Sequence, residues 1–137
     1  MLTYQVCLND GGRSQSKRTK QNNDCTVVCT AIAFNMKYDD AFDFLQLHGR
    51  TNNKGINYSA FLRKYPDKWT PVIIPPYVNL TKIMHLVQKG KYIVLIKGHV
   101  YCIIDGVIQD CNPVNVYESV FSVFKVVGDI TINDILI

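Results

Sequence analysis

The strongest constraint in this sequence is the dipeptide Asp105-Gly106, which stands between two apolar stretches. Asp-Gly between alternating side chains is typical of the two-residue turn of a β-hairpin. Residues 99–104 and 107–111 are therefore predicted to be antiparallel strands, with Ile104 opposite Val107. The register of this hairpin fixes which of its side chains share a face, and the other elements have to pack against those faces.

This register brings a histidine close to a carboxylate. Tyr101 is expected opposite Asp110 and His99 opposite Asn112, so that the four side chains share one face of the hairpin. Asp110 is then a diagonal neighbour of His99, near enough for a hydrogen bond. A carboxylate or amide beside a histidine fixes its tautomer and supports its charged form. A three-residue turn would instead place His99 and Asp110 on opposite faces.

A second pattern concerns Cys25. The polar stretch 9–24 predicts a long loop, and a buried, apolar helix is predicted over residues 25–36 with Asp24 as its N-cap. Cys25 then lies in the first turn, where unpaired backbone N–H groups favour a thiolate and can hold a developing oxyanion. Cys25 is therefore a candidate nucleophile. The alternative is a small buried apolar side chain, which is what most free cysteines are.

The other elements follow in separate helical and β blocks. Further helices are predicted at residues 39–47, 58–64 and 80–88, and strands at 2–8, 70–74, 91–97 and 120–127. This layout predicts an α+β fold, with N-terminal helices packed on a C-terminal antiparallel sheet. The length of 137 residues fits one domain, 1–137.

Composition excludes several classes of protein. With 47% apolar and 19% charged residues, the chain has the composition of a folded domain rather than a disordered one. No apolar run approaches the ~18 residues of a membrane-spanning helix, and the N-terminal residues lack the features of a signal peptide. Five unevenly spaced cysteines are expected to be free thiols in a reducing compartment, so a cytoplasmic location is expected.

Positive charge is concentrated in residues 13–20, and the net charge is +4. A basic loop of this kind can contact nucleic acid. No aromatic residue lies between Cys7 and Cys25 to stack on bases, so a solvated loop is expected and nucleic acid is not an expected partner.

Two segments resemble papain-like cysteine peptidases, especially the small C39-like and the viral or phage types. Asn23-Asp24-Cys25, followed by an apolar, alanine-containing helix, is similar to their nucleophile helix. Residues 98–110, GHVYCIIDGVIQD, are similar to their hairpin of Gly-His, apolar residues, Asp-Gly, apolar residues and Asp. The resemblance implies a minimal papain-like fold in which Cys25 is the nucleophile, His99 the general base and Asp110 the residue that orients His99. Asn112 is the alternative third member.

The oxyanion hole departs from the family pattern. The family usually places a glutamine about six residues before its cysteine, where this chain has Thr19. Gln21 and Asn23 are the expected donors instead, with Asn22 as a further candidate and the backbone N–H of Cys25 as the remaining one.

The resemblance implies a thiol hydrolase that cleaves a peptide, isopeptide or related amide bond through a thioester, without a cofactor or metal. The expected partner is a peptide or protein substrate, and a ubiquitin-like modifier is among the candidates. The same triad also serves acyl transfer and transglutamination. Two other classes stay open: a catalytically inactive papain-like binding module, and a zinc site built from Cys25, Cys29, His99 and Asp110.

Overall fold

The computed structural model describes residues 5–17, 24–51, 56–111 and 114–131. Helices and strands alternate irregularly along these segments, and two short 3-10 turns span Arg13–Gln15 and Met84–Leu86. The elements are β1 Gln5–Leu8, α1 Cys25–Ala33, α2 Tyr38–Leu47, α3 Tyr58–Leu62, β2 Trp69–Val72, α4 Leu80–Ile83, β3 Lys91–Ile96, β4 His99–Ile104, β5 Val107–Asp110 and β6 Val120–Val126.

The strands form one six-stranded sheet in the order β1-β5-β4-β3-β6-β2. At its centre the hairpin of β4 and β5 has the predicted register, with Ile104 opposite Val107. Asp105 and Gly106 both have positive φ, 48° and 79°, as the two-residue turn requires. The prediction of an α+β fold with this hairpin is confirmed.

The prediction of a purely antiparallel, C-terminal sheet is wrong. β1, from the N-terminal part of the chain, lies parallel to β5, with Leu8 opposite Asp110. The backbone N–H of Asn9 continues this pairing by donating to the carbonyl oxygen of Asp110 at 2.7 Å. β1 therefore covers the outer edge of the hairpin and makes the sheet mixed. Alternation along a strand shows which side chains share a face, but not which neighbour the strand will pair with.

Both faces of the sheet are buried. On one face α1 and α2 form a core with β3 and β4, in which Val28 and Phe34 pack with Ile93 and Val100. On the other face of the sheet, α4 and the 3-10 turn that follows it cover the strand side chains that point away from α1. The buried residues of this second core include Leu80, Ile83, Met84, Val94, Tyr101, Ile103 and Ile108. The sheet is thus the middle layer, and α1 is held directly against the strand that begins at His99.

Several helices are shorter than predicted. α1 ends at Ala33 rather than Met36, since the chain turns at Asn35, which has a left-handed φ of 56°. The helix predicted over 80–88 is a single α turn that continues as a 3-10 turn. The longest helix in the described segments has ten residues, and none of the helices there is long and apolar enough to cross a membrane.

The hairpin turn generates a stability prediction. Gly106→Ala is expected to lower the free energy of unfolding by about 1–2 kcal/mol, because an L side chain is disfavoured at positive φ. The new Cβ would also lie 2.8 Å from Oε1 of Gln88, which can move away. Urea unfolding measures the change. Gly128→Ala is the matched control, since its Cβ would meet Lys68 at 3.5 Å, an ordinary contact. Equal effects of the two substitutions would contradict the role assigned to the turn.

Candidate active site

Cys25 and His99 meet at one end of the sheet. Cys25 is the first residue of α1 and His99 is the first residue of β4. Both line a cleft of 350 Å³, and Cys25 is close enough to the His99 ring to be one of the causes of its raised pKa. Because α1 packs on β4, the start of the helix and the start of the strand are held side by side.

Asp110 lies on the other side of the His99 ring. Its Oδ2 is 2.6 Å from Nε2 of His99, and its Oδ1 accepts a hydrogen bond from the backbone N–H of Cys111 at 2.8 Å. Asp110 is only 2% exposed, so water does not compete for these bonds. Since Asp110 occupies Nε2, Nδ1 is the ring nitrogen left to exchange a proton with Cys25. The three side chains therefore lie in the order thiol, imidazole, carboxylate.

These neighbours favour the charged form of His99. Its pKa is raised to about 10, first by the hydrogen bond to Asp110 and then by the one to Cys25, while burial opposes the shift. A histidine with this pKa is an imidazolium at neutral pH. It supplies the positive charge that stabilises a thiolate beside it.

Tyr101 limits the freedom of the imidazole. Its ring stacks on that of His99, with centroids 6.0 Å apart and planes 29° apart. Tyr101 is 1% exposed, and its pKa is raised by burial and by the charge of Asp110, so its hydroxyl stays neutral. The predicted sharing of one face by His99, Tyr101 and Asp110 is thereby confirmed.

Asp24 anchors the start of α1 in a way that the sequence did not indicate. No side-chain hydrogen bond from Asp24 caps the helix. Its buried carboxylate instead accepts hydrogen bonds from the Tyr38 hydroxyl at 2.7 Å and from Nη1 of Arg13 at 3.1 Å. The carbonyl of Asp24 accepts the first helical bond, from the N–H of Val28. The residue before Cys25 is therefore fixed through the 3-10 turn and α2.

Apolar side chains form the rest of the cleft. The lining residues besides Cys25 and His99 are Thr26, Ile56, Tyr58, Leu95, Ile96 and Gly98. Among these lining residues His99 is the one that carries positive charge, and most of the others are apolar, so the cleft suits a neutral, apolar ligand. Ile56 and Tyr58 come from the α3 region, which no sequence motif connected with Cys25.

The predicted donors of the oxyanion hole cannot be placed. Gln21, Asn23 and the alternative triad member Asn112 lie outside the described residues. What the structure provides is the N-terminus of α1. The N–H groups of Cys25, Thr26 and Val27 precede the first helical hydrogen bond, so they have no acceptor within the helix. They point out of the N-terminal end of the helix, the end at which Cys25 lies.

The other histidines lie elsewhere. Nε2 of His48 is 2.7 Å from the Tyr65 hydroxyl, in an aromatic cluster with Phe44 and Phe61. Burial, and then the charge of Lys64, lower the pKa of His48. His85 is exposed.

The ligands proposed for zinc do not come together. Sγ of Cys29 lies 3.2 Å from Sγ of Cys102 in the core instead of joining Cys25 and His99 in the cleft. Within the described segments, no group of three or more His, Cys, Asp or Glu side chains is arranged to bind a metal ion.

Comparison with protein-family models, with curated proteins and with solved structures finds no match to this chain. The resemblance to papain-like peptidases therefore stays a prediction based on two segments of sequence. The geometry of Cys25, His99 and Asp110 is the observation that bears on function.

The charge of His99 can be tested by NMR titration. In the wild-type protein the imidazole of His99 is expected to titrate near a pKa of about 10, and that of His48 below the ordinary value. Asp110→Asn removes the largest cause of the raised pKa, so the midpoint of His99 should fall toward the usual ~6.5 while that of His48 does not move. An unchanged His99 midpoint in this variant would show that Asp110 is not what holds the charge.

Proposed function

We propose that this protein is a thiol hydrolase with a minimal papain-like fold, which cleaves a peptide, isopeptide or related amide bond. One observation carries the proposal: a cysteine at a helix N-terminus shares a cleft with a histidine that a buried carboxylate holds at 2.6 Å. This is the arrangement that activates a nucleophile by an adjacent base and orients the base by a third group.

The reaction begins from the ion pair of the Cys25 thiolate and the His99 imidazolium, in which Nδ1 of His99 already holds the proton that Cys25 has given up. The thiolate attacks the carbonyl carbon, and the N–H groups at the start of α1 stabilise the negative charge on the oxygen. The His99 imidazolium then gives its proton to the leaving amine, which leaves a thioester on Cys25. Water, deprotonated by His99, attacks the thioester and releases the acid and the free thiol.

Asp110 acts through His99 rather than on the substrate. Its bond to Nε2 fixes the tautomer in which Nδ1 exchanges the reacting proton, and it stabilises the imidazolium formed during each step. The Cys111 N–H on its second oxygen and its burial keep the carboxylate in place. Stacking with Tyr101 keeps the His99 ring in the plane in which its two nitrogens face Asp110 and Cys25.

The cleft favours a polypeptide with apolar side chains near the scissile bond. Ile56, Leu95 and Ile96 offer an apolar surface directly beside Cys25. A peptide or protein substrate, including a ubiquitin-like modifier with its isopeptide bond, fits this chemistry better than a charged small molecule. Acyl transfer and transglutamination use the same thioester and differ only in the acceptor, an amine in place of water.

The reactivity of Cys25 is the first test. Iodoacetamide is expected to alkylate Cys25 rapidly at about pH 6, where an ordinary thiol of pKa about 8.5 is almost entirely protonated. In His99→Ala the rate should fall about tenfold or more, because the thiolate loses its counter-charge. Mass spectrometry of peptides reads each site separately. The exposed Cys7 serves as the internal reference, and its rate should be the same in both proteins. A Cys25 rate that His99→Ala leaves unchanged would favour the inactive binding module.

Cleavage is the second test. Fluorogenic peptide amides with apolar side chains beside the reporter, and a ubiquitin-like modifier in isopeptide linkage, are the substrates. Cys25→Ala is expected to abolish cleavage, and His99→Ala to lower kcat/KM by about 10²–10⁴-fold. His85→Ala, which removes an exposed histidine, is the matched control and should not change kcat/KM. Addition of a primary amine shows whether water or an amine accepts the acyl group of the thioester. A hydrolase gives the carboxylic acid as product, and a transferase gives the amide of the added amine. Equal activity of Cys25→Ala and wild type would overturn the assignment of the nucleophile.

A further inference from the structure

Two thiols that the proposed reaction does not use lie in contact in the core. Cys29 is one helical turn after Cys25 on α1, and Cys102 is on β4, the strand that begins at His99. Their Sγ atoms are 3.2 Å apart, and the Cys102 thiol also lies 3.4 Å from the carbonyl oxygen of Cys29. The two side chains are 1% and 0% exposed.

We propose that Cys29 and Cys102 form a disulfide that joins α1 covalently to β4 when the chain folds in the presence of a low-molecular-weight disulfide such as oxidised glutathione. A disulfide requires its sulfur atoms about 2.05 Å apart, so the two Sγ atoms need to approach by only about 1 Å. Rotation about the side-chain bonds of the two cysteines is expected to supply that movement. This inference does not depend on the hydrolase activity.

The bond forms by two thiol–disulfide exchanges. The thiolate of one cysteine attacks a sulfur of oxidised glutathione, forming a mixed disulfide and releasing one glutathione thiol. The second cysteine then loses its proton and attacks the protein sulfur of the mixed disulfide, which releases the second glutathione. The two protein thiols are oxidised, one oxidised glutathione is reduced to two thiols, and the two protons end on the released glutathione.

Burial determines when this exchange occurs. In the folded protein the pKa of the Cys29 thiol is raised, first by burial and then by the hydrogen bond with Cys102, so its reactive thiolate is scarce. Exchange therefore occurs before the core closes over the two side chains. After closure the same burial excludes reductants, so the disulfide of the folded protein resists reduction until the chain is unfolded.

The link joins distant parts of the chain. Cys29 and Cys102 are 73 positions apart, so a bond between them closes a long loop in the unfolded state and lowers its entropy. Of the remaining cysteines, Cys7 and Cys111 both line a separate surface pocket beside the 3-10 turn of Arg13–Gln15. Cys25 and Cys29 follow one another on one helix, and Cys7 is exposed on β1. Formation of the bond also fixes the two elements that carry Cys25 and His99 relative to each other.

Oxidative refolding tests this inference. The wild-type chain is unfolded with reductant, then refolded either with a mixture of oxidised and reduced glutathione or with dithiothreitol. Remaining thiols are blocked with N-ethylmaleimide in denaturant, and the digest is examined by mass spectrometry. We expect a Cys29–Cys102 cross-linked peptide in the glutathione sample only, and a melting temperature higher by roughly 5–15 °C than that of the reduced protein. The difference in melting temperature should persist in Cys7→Ser and vanish in Cys102→Ala.

Other results would overturn the proposal. The proposal fails if the refolded protein has native circular dichroism but carries N-ethylmaleimide on both Cys29 and Cys102. It fails equally if the cross-link found joins a different pair. Should oxidative refolding yield no folded protein, the chain produced in cells with an oxidising cytoplasm is mapped in the same way, and unlinked Cys29 and Cys102 in that folded protein also overturn it.

Discussion

The pairing of β4 with β5 determines the positions of His99 and Asp110 in the candidate site. Its two-residue turn at Asp105 and Gly106 sets a register in which His99 and Asp110 end at the same place on the same face. A shift by one residue would send Asp110 to the opposite face and break the 2.6 Å contact. β1 then pairs with the outer edge of β5 and protects it. The two-residue turn thus sets both the strand register in this part of the sheet and the contact between His99 and Asp110.

The position of Cys25, the proposed nucleophile, depends on a separate constraint, the burial of α1. Because the apolar helix α1 packs on the sheet, its first residue lies near the first residue of β4. This packing alone brings Cys25 and His99 into the same cleft. Asp24 contributes by an unexpected route. A helix cap would use its carboxylate on the N–H groups of the first turn. The carboxylate of Asp24 bonds to Arg13 and Tyr38 instead, and it does not occupy those N–H groups.

Local sequence patterns predicted the features that depend on residues close together in the chain. They did not predict the contacts between segments that are distant in sequence. The turn, the register and the contact between His99 and Asp110 follow from spacing within one hairpin, and the structure has them. The parallel partner of β1 and the ion pair of Arg13 with Asp24 join segments by tertiary contacts that no periodicity encodes. The early end of α1 follows from one left-handed residue, Asn35, which the apolar pattern did not reveal.

The site and the stability of the fold are coupled through the buried charge of Asp110. An ionised carboxylate at 2% exposure is costly unless it is paired and hydrogen-bonded. His99 and the N–H of Cys111 meet that requirement. The partner that satisfies Asp110 is thus the same imidazolium that stabilises a thiolate at Cys25. Because the pKa of His99 is about 10, its imidazolium is an effective positive partner for a thiolate but a weak acid for donating a proton. In the proposed reaction, attack of the Cys25 sulfur on the substrate carbonyl removes the negative charge of Cys25, which is one of the causes of the raised His99 pKa. The pKa of His99 then falls at the step in which its proton passes to the leaving amine.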